Sequence, residues 1–335
     1  MKGYIGYARA RADQLARLAV AIPHCAEQIE VWRAGGGLRG PGPVFVAIGN
    51  SLAAAGAAVW TLRARGIEAW RAGAGDQPAP FPPSPHPVIA VSQSGRSTET
   101  LAVLSSMERH NRYAVVNVAD SPIAATASRF LHLGDIPDSY ASTTGYTATA
   151  AALGLLADAW DAGRIDPGWA ALPARARALE DYLTTRMPGL ITGDAPYADV
   201  VAAAPGRGSA EYGALLLREV ARIPSTPMST REYLHGAMES AGAGLHLLLG
   251  DGRELTMARA LAEHGQRVVL VTSATVADAR NLSTIAVPDV PAGQRAVLDA
   301  LVLQSLAGEL AERRHLDIEQ FVFHHTDTKV GSGGG

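Results

Sequence analysis

The residues with the clearest chemical potential form a serine-rich stretch, Ser92-Gln93-Ser94-Gly95-Arg96-Ser97-Thr98-Glu99-Thr100. A β-branched apolar run precedes it and an amphipathic stretch follows it, which predicts a turn between a buried strand and a helix. Such a turn presents backbone N–H groups at the positive end of a helix dipole, which suits a phosphate or a carboxylate. The same residues also fit an ordinary helix cap, in which Ser97 or Thr98 satisfies the first turn.

A second candidate turn, Gly49-Asn50-Ser51, follows the first predicted strand. With the next two residues it is close to the nucleophile elbow of serine hydrolases, although alanine stands in place of the last glycine. A hydrolase that uses Ser51 would also need an acid and a histidine late in the chain, and Asp317 and His324 are available. That alternative leaves the serine-rich stretch without a role.

Two other motifs do not indicate a cofactor or a metal. Gly206-Arg207-Gly208 follows a predicted strand, as a dinucleotide-binding loop would, but Glu211 stands where the third glycine belongs. We therefore expect no nicotinamide or other cofactor. His324, His325 and Asp327 have the side chains of metal ligands, but their spacing fits no familiar site, so we expect no metal.

The elements that must position these turns alternate in type along the chain. Strand and helix patterns with short turns follow a helical N-terminus, in which we expect Pro23 to end one helix and begin another. This alternation predicts a parallel sheet covered by helices. The same order of predicted strands, turns and helices begins again near Asp199, so the two halves are interpreted as copies of one α/β module. The predicted domains are a helical arm over 1–34, modules over 35–165 and 166–320, and a tail over 321–335 that contributes to the site.

Composition narrows the possible functions. The 335 residues carry a net charge of −3, which argues against a general nucleic-acid binder, since that function needs a basic face. The one cysteine, Cys25, excludes an internal disulfide framework. Charged residues such as Arg9 and Asp13 interrupt the N-terminus, so we expect no signal peptide. No apolar run approaches the ~20 residues of a membrane helix. These features predict a cytoplasmic protein that binds neither nucleic acid nor a membrane.

Taken together, Gly49-Asn50-Ser51 and the stretch over 92–97 resemble the two sugar-phosphate loops of the sugar isomerase (SIS) domain. The resemblance covers most of the chain after the helical arm. It is strongest to proteins with two SIS domains, namely the isomerase half of glucosamine-6-phosphate synthase and stand-alone phosphosugar isomerases, deaminases and deglycases. It implies an α/β fold of two three-layer modules, each with a parallel sheet between helices.

The resemblance also implies which residues form the site. The phosphosugar would be bound by Asn50, Ser51, Ser92, Gln93, Ser94, Ser97 and Ser142. Glu219 would be the catalytic base, His235 would assist ring opening, and Lys329 would condense with a ketose carbonyl. This chemistry is coherent, because a carboxylate can carry a proton between adjacent carbons while a histidine moves the proton of the ring oxygen. Relatives share their sites between subunits, which implies a homodimer in which the partner chain supplies the His235 loop.

The chain departs from the synthase pattern at several positions. Leu216 and Thr144 stand where the synthase has lysines, Arg96 replaces an acidic residue, and Ser97 replaces threonine. No glutaminase domain precedes the modules and residue 2 is Lys2, so we expect the chain to draw no ammonia from glutamine. The sequence therefore favours isomerisation, or deamination or deglycation, of a phosphorylated ketose or amino sugar. The alternative from another class is a phosphosugar-binding regulator without catalysis.

Overall fold

The chain divides into two compact units in the computed structural model, which describes residues 3–78, 80–191, 193, 195–323 and 327–331. Unit 1 extends to Pro173 and also includes the segment that begins at Glu319, whereas unit 2 is Ala174–Ile318. Each unit contains one five-stranded sheet flanked by helices, and all pairs of neighbouring strands in both sheets are parallel. The predicted α/β class is confirmed.

Unit 1 has the strand order β2-β1-β3-β4-β5. Its strands β1 to β5 are Val44–Ala47, Trp70–Gly73, Val88–Ser92, Arg112–Val116 and Arg129–His132. Helices α1 to α5 are Tyr7–Ala34, Gly49–Ala64, Thr98–Ser106, Pro122–Thr126 and Thr144–Ala159. Strands β1 and β3 are buried along their whole length, as expected for inner strands that helices cover on both faces.

Helix α1 runs unbroken through Pro23, so the expected break at this residue is wrong. A proline inside a helix removes one backbone hydrogen bond and costs about 3 kcal/mol. The cost is offset because the helix buries apolar side chains on both sides of Pro23, Leu18 and Ile22 before it and Cys25 and Ile29 after it. Tertiary packing against α5 therefore overrides the local preference.

Unit 2 repeats the connectivity of unit 1. Its strands β6 to β10 are Ala198–Ala202, Ser225–Ser229, Leu245–Leu249, Arg267–Thr272 and Leu282–Ala286. Helix α6, Gly168–Arg186, crosses the boundary between the units, and α7 to α10 are Arg207–Val220, Thr230–Leu234, Arg253–Glu263 and Ala292–Arg313. The strand order β7-β6-β8-β9-β10 matches that of unit 1 strand by strand. Among the described residues, no helix has both the length and the apolar character that a membrane crossing requires.

Candidate active site

The two hydroxyl-rich turns lie side by side in unit 1. Strands β1 and β3 are parallel neighbours. The first leads to Gly49, Asn50 and Ser51 at the start of α2, and the second ends at Ser92, the first residue of the serine turn (residues 92–97). Because the chain order reverses between β1 and β3, this is the switch point of the sheet, where open α/β sheets bind ligands beyond the carboxyl ends of the strands.

The backbone of the serine turn is fixed by a glycine that no other residue can replace. Gly95 has a φ of +63°, and a Cβ at this position would lie 2.1 Å from the Oγ of Ser121. The Oγ of Ser94 accepts the N–H of the residue two positions on at 3.3 Å. The Oγ of Ser97 shares a hydrogen bond with the hydroxyl of Thr100 at 2.9 Å. The hydroxyl groups of the turn are thus held in place before a ligand binds.

Two polar atoms beside these turns have no partner within the described part of the chain. The Oδ1 of Asn50 and the Oγ of Ser121 are both buried, and neither makes a hydrogen bond there. A buried polar atom without a partner costs about 1–3 kcal/mol. A ligand with hydroxyl or phosphate groups that is seated between the turns can supply the missing bonds. The pair of atoms therefore marks the crevice as a place for a polar ligand.

Asp138 joins the serine turn to the start of α5, a role that the sequence analysis missed. Its Oδ2 accepts hydrogen bonds from Gln93 Nε2 and Ser142 Oγ, both at 2.7 Å. Its Oδ1 accepts the N–H and the hydroxyl of Thr143 at 3.0 and 2.9 Å. Gly145 leaves room for this arrangement, because a Cβ there would lie 1.7 Å from Gln93 Nε2. Two predicted ligand residues thus share one buried carboxylate.

Asn117, directly after β4, forms hydrogen bonds with both the serine turn and the loop that precedes Asp138. Its N–H donates to the carbonyl of Gln93 at 3.1 Å. Its side-chain amide exchanges two hydrogen bonds of 2.8 Å with the backbone of Ile136. The sequence holds signals for both missed residues. Asp138 stands shortly before a helix, where acidic residues often cap, and Asn117 is a polar residue directly after an apolar strand.

We expect Asp138→Asn to weaken phosphosugar binding about tenfold, because the new amide nitrogen cannot accept hydrogen bonds from both Gln93 and Ser142. The remaining oxygen still accepts from Thr143, so the fold should survive with a loss of about 1–3 kcal/mol in unfolding free energy. Calorimetric titration and thermal unfolding measure the two effects. The control is Asp135→Asn at an exposed neighbouring carboxylate. Equal affinities in Asp138→Asn and wild type would contradict the positioning role.

Lys329 lies beside the serine turn. The C-terminal segment (residues 327–331) pairs with the turn in an antiparallel bridge between Lys329 and Ser97. The bridge consists of two hydrogen bonds, from Val330 N to Arg96 O at 2.9 Å and from Thr98 N to Thr328 O at 3.3 Å. A third hydrogen bond, from Thr98 Oγ1 to Asp327 O at 3.0 Å, also joins the two segments. Because the first N–H of α3 already donates to the carbonyl of Thr328, this N–H is not available to an anion.

Residues upstream of this segment also return to unit 1. Glu319 accepts hydrogen bonds from the hydroxyl of Tyr4 and, at 2.6 Å, from the N–H of Tyr7. The ring of Phe321 packs against Tyr140, with centroids 5.3 Å apart. Tyr140 belongs to the loop that contains Asp138 and Ser142, so the returning chain contacts this loop as well as the serine turn.

Glu219 lies half-buried in the last turn of α7, in unit 2. This helix packs closely on α10, since a Cβ on Gly213 would come within 2.8 Å of the side chain of Leu303. The amide of Gln304 donates a buried hydrogen bond of 2.9 Å to the hydroxyl of Tyr212. The close packing fixes the axis and rotation of the helix that presents Glu219.

His235 is an exposed residue that follows α8, in unit 2. A capping box begins α8, in which Ser229 N donates to the carboxylate of Glu232 at 2.8 Å and Ser229 Oγ accepts from Glu232 N at 3.2 Å. Tyr233 is fully buried and its hydroxyl donates to Asp199 at 3.3 Å. Burial and the adjacent Asp199 raise the pKa of Tyr233, so it remains a donor. The backbone before His235 is therefore anchored at two points.

The two positions where the synthase has lysines are part of the core. Thr144 is fully buried and donates to the carbonyl of Ala10 at 2.9 Å. Leu216 is fully buried on α7. A lysine at either position would place a charge among apolar groups, which is costly without a partner.

Burial raises the pKa of the Cys25 thiol to about 12, so this thiol is not a nucleophile at neutral pH.

The turn at Ser51 does not have the shape of a nucleophile elbow. In that motif the serine sits on a strained turn between strand and helix. Here Ser51 is the third residue of helix α2, and the positive φ of this turn, 58°, belongs to Gly49. The hydrolase alternative therefore lacks its central feature.

His324 and His325 lie outside the described residues, so the predictions that involve them are not tested.

Comparison with known proteins yields one curated relative. No protein-family model matches the chain. The chain is 28% identical over 261 residues to glutamine–fructose-6-phosphate aminotransferase (isomerizing) from Bradyrhizobium diazoefficiens. The match covers 69% of this chain but only 42% of the relative.

Solved structures resemble the chain over more than nine-tenths of its length. The C-terminal domain of glucosamine-fructose-6-phosphate aminotransferase from Francisella tularensis has a TM-score of 0.79 at 16% identity, over 95% of this chain and 99% of that chain. Tagatose-6-phosphate ketose/aldose isomerase from Escherichia coli has a TM-score of 0.74 at 15% identity, over 95% and 96%. Glucosamine-6-phosphate deaminase from Thermotoga maritima has a TM-score of 0.70 at 16% identity, over 92% and 96%.

These similarities establish the fold. The chain has two α/β modules, each with a parallel sheet flanked by helices, and this fold matches that of the sugar isomerase (SIS) proteins, which confirms the fold that the sequence predicts. More particularly, it shares this double-SIS fold with phosphosugar isomerases and with the isomerase domain of the aminotransferase, so the predicted resemblance is confirmed as well.

Proposed function

We propose that this chain is a phosphosugar isomerase-type enzyme that acts on a phosphorylated ketose or amino sugar. The observation that carries the proposal is the serine turn at the β1/β3 switch point, with Lys329 bound next to it in an antiparallel bridge. A phosphate in the turn would place the sugar within the same crevice as a lysine. The fold shared with isomerases and a deaminase of sugar phosphates supports this class of reaction.

In the proposed reaction, Ser94, Ser97 and the N–H groups of the turn bind the phosphate. This distant group supplies binding energy that holds the sugar in register. Glu219 removes a proton from one carbon and returns it to the neighbouring carbon through an enediol or enediolamine, while His235 transfers the proton of the ring oxygen. Ser142 and Gln93, both held by Asp138, contact the sugar hydroxyl groups.

The reaction proposed is isomerisation, deamination or deglycation rather than synthesis of glucosamine phosphate from glutamine. Thr144 and Leu216 are core residues at the positions where the synthase has lysines, which argues against the synthase reaction. Arg96 adds a cation next to the phosphate turn, which favours a substrate with a strongly anionic group.

The protein is further proposed to act as a homodimer with shared sites. Light scattering at micromolar concentration checks this, and a fully active monomer would contradict it.

The proposed function is tested by incubating the protein with a panel of ketose, aldose and amino-sugar phosphates in D₂O. We expect one of them to raise the thermal unfolding midpoint and to incorporate deuterium at the carbon next to the carbonyl. The second candidate, a regulator without catalysis, predicts stabilisation by a sugar phosphate but no exchange. Exchange with stabilisation favours the enzyme, and the absence of both would contradict either function.

Lys329 separates the possible reactions. If its amine condenses with a ketose carbonyl, borohydride added with the correct phosphosugar should trap a covalent adduct at Lys329, detectable by mass spectrometry. The adduct should be absent in Lys329→Ala, and activity should fall in parallel. Lys329→Arg is the control that keeps the charge but cannot form the adduct. Full activity of Lys329→Ala would instead favour a deaminase or deglycase, whose substrate already brings its own amine.

A further inference from the structure

Unit 2 contains a cavity for which the proposed reaction has no use. This unit 2 cavity has a volume of about 220 Å³ and lies beyond the carboxyl ends of β6 and β8. Its polar lining consists of Ser209, Asp251, Arg295 and Asp299. The volume equals that of about seven water molecules in the liquid, which suits one small molecule with a single ring.

The unit 2 cavity occupies the same place in its sheet as the phosphosugar crevice occupies in unit 1. Strands β6 and β8 correspond to β1 and β3 in the matching strand orders, so the cavity lies at the switch point of the second sheet. Helices α7 and α10 begin at its edge, as α2 and α5 begin beside the serine turn. Ser209 is the third residue of α7, just as Ser51 is the third residue of α2.

A buried hydroxyl in this cavity has no partner within the described part of the chain. Ser209 is only 2% exposed, and its Oγ atom makes no hydrogen bond there. A buried hydroxyl is normally satisfied, because leaving it unpaired costs about 1–3 kcal/mol. Since Ser209 lines the cavity, a ligand with a hydroxyl group can provide the missing bond.

The charges around the cavity nearly cancel. The guanidinium of Arg295 binds Asp299 at 2.7 Å and Asp251 at 3.0 Å. Partial burial opposes the ionisation of Asp251, but hydrogen bonds from Thr272 and Ser273 lower its pKa. The two carboxylates and one guanidinium leave a single negative charge, and the N-termini of α7 and α10 together contribute about one positive charge. A neutral ligand is therefore favoured over a phosphate or an amine.

We propose that the unit 2 cavity is a second ligand site, which binds an uncharged polyhydroxy molecule of monosaccharide size. The hydroxyl of Ser209 and the carboxylates of Asp251 and Asp299 form hydrogen bonds with its hydroxyl groups. The carboxylate oxygens accept these bonds, while Arg295 donates from its remaining N–H groups. Pro205 and Leu249 cover an apolar face of the ring. Glu219 lies ten residues along α7 from Ser209, about 15 Å away, so the two sites can be altered separately.

The test uses the full chain and saturation-transfer NMR titrations with D-fructose and D-glucitol, compared with inorganic phosphate and D-glucosamine. We expect Ser209→Ala to weaken binding of the uncharged probes about five- to tenfold. Its thermal unfolding midpoint should stay equal or rise, because the hydroxyl loses no protein partner. Ala296→Leu adds bulk to the cavity wall and should abolish binding. The matched control is Ser51→Ala, which should leave this binding intact.

Three results would overturn the proposal. The first is no binding of either uncharged probe to the wild-type protein at tens of millimolar concentration. The second is binding that neither Ser209→Ala nor Ala296→Leu weakens. The third is tighter binding of phosphate or D-glucosamine than of the uncharged probes, with the same sensitivity to both variants. Stabilisation by a phosphosugar in Ser209→Ala, measured in parallel, reports on unit 1 and keeps the two proposals separate.

Discussion

Replacing Glu219 by glutamine should lower the turnover of the proposed isomerase about 10²–10⁴-fold while substrate affinity changes little. The substitution keeps the size and the hydrogen-bonding capacity of the side chain but removes the basic oxygen that would carry the proton. Turnover with the phosphosugar selected by the substrate panel gives the loss, and calorimetric titration gives the affinity. Deuterium exchange from D₂O should fall by the same factor as turnover.

The control for this variant lies two turns earlier on the same helix. Glu211 forms an ion pair with Arg207 at 3.0 Å, and Glu211→Gln should cost less than about 1 kcal/mol in stability with turnover preserved. This comparison separates a chemical role of Glu219 from a general effect of charge on α7. If Glu219→Gln exchanges substrate hydrogen at the wild-type rate, another residue is the base.

Removing two hydroxyl groups from the serine turn should weaken phosphosugar binding by about 2–4 kcal/mol, or roughly 30- to 700-fold. The variant is Ser94→Ala with Ser97→Ala. Each hydroxyl is expected to donate to a charged phosphate oxygen, and hydrogen bonds to charged groups are the stronger ones. The backbone of the turn should keep its shape, because Gly95 and the pairing with the C-terminal segment do not depend on these side chains.

Calorimetry with the phosphosugar and with its unphosphorylated analogue tests the assignment. The variant should lose affinity for the phosphorylated compound alone. Ser105→Ala, at an exposed position near the other end of α3, is the matched control and should bind as the wild type does. Unchanged affinity in the double variant would place the phosphate elsewhere.

The fold could be predicted from local sequence patterns because buried parallel strands form continuous apolar runs. The patterns over 44–48 and 267–272 predict strands, and these correspond to β1 and β9 within one residue. The prediction was wrong where polar or helix-breaking residues occur within regular structure. The pattern over 67–70 predicts a short strand, but the strand found there is β2, Trp70–Gly73, an edge strand that tolerates Arg71 and Gly73. The two prolines within residues 223–227 predict only a rigid connection, but Pro227 lies in another edge strand, β7.

The candidate site could be predicted only where its residues are close in sequence. The serine turn has the predicted position between strand and helix. Asp138 was missed because its role depends on Gln93, 45 residues away, and no local pattern reports such a contact. The position of Lys329 beside the turn was implied by the family resemblance alone. From the local sequence alone, a lysine close to the glycines of the C-terminus indicates a solvent-exposed tail.

The pairing of the C-terminal segment with the serine turn has a consequence for biosynthesis. Thr98 and Asp327 are 229 residues apart, and all of unit 2 is synthesised between them. Domains usually fold in order as the ribosome delivers them. Here the first unit can collapse early, but its crevice gains Lys329 only after the second unit has emerged. A polypeptide that ends before Asp327 would therefore keep the core of unit 1 but lack the segment that pairs with its serine turn, so exposed core residues would not distinguish it from the full chain.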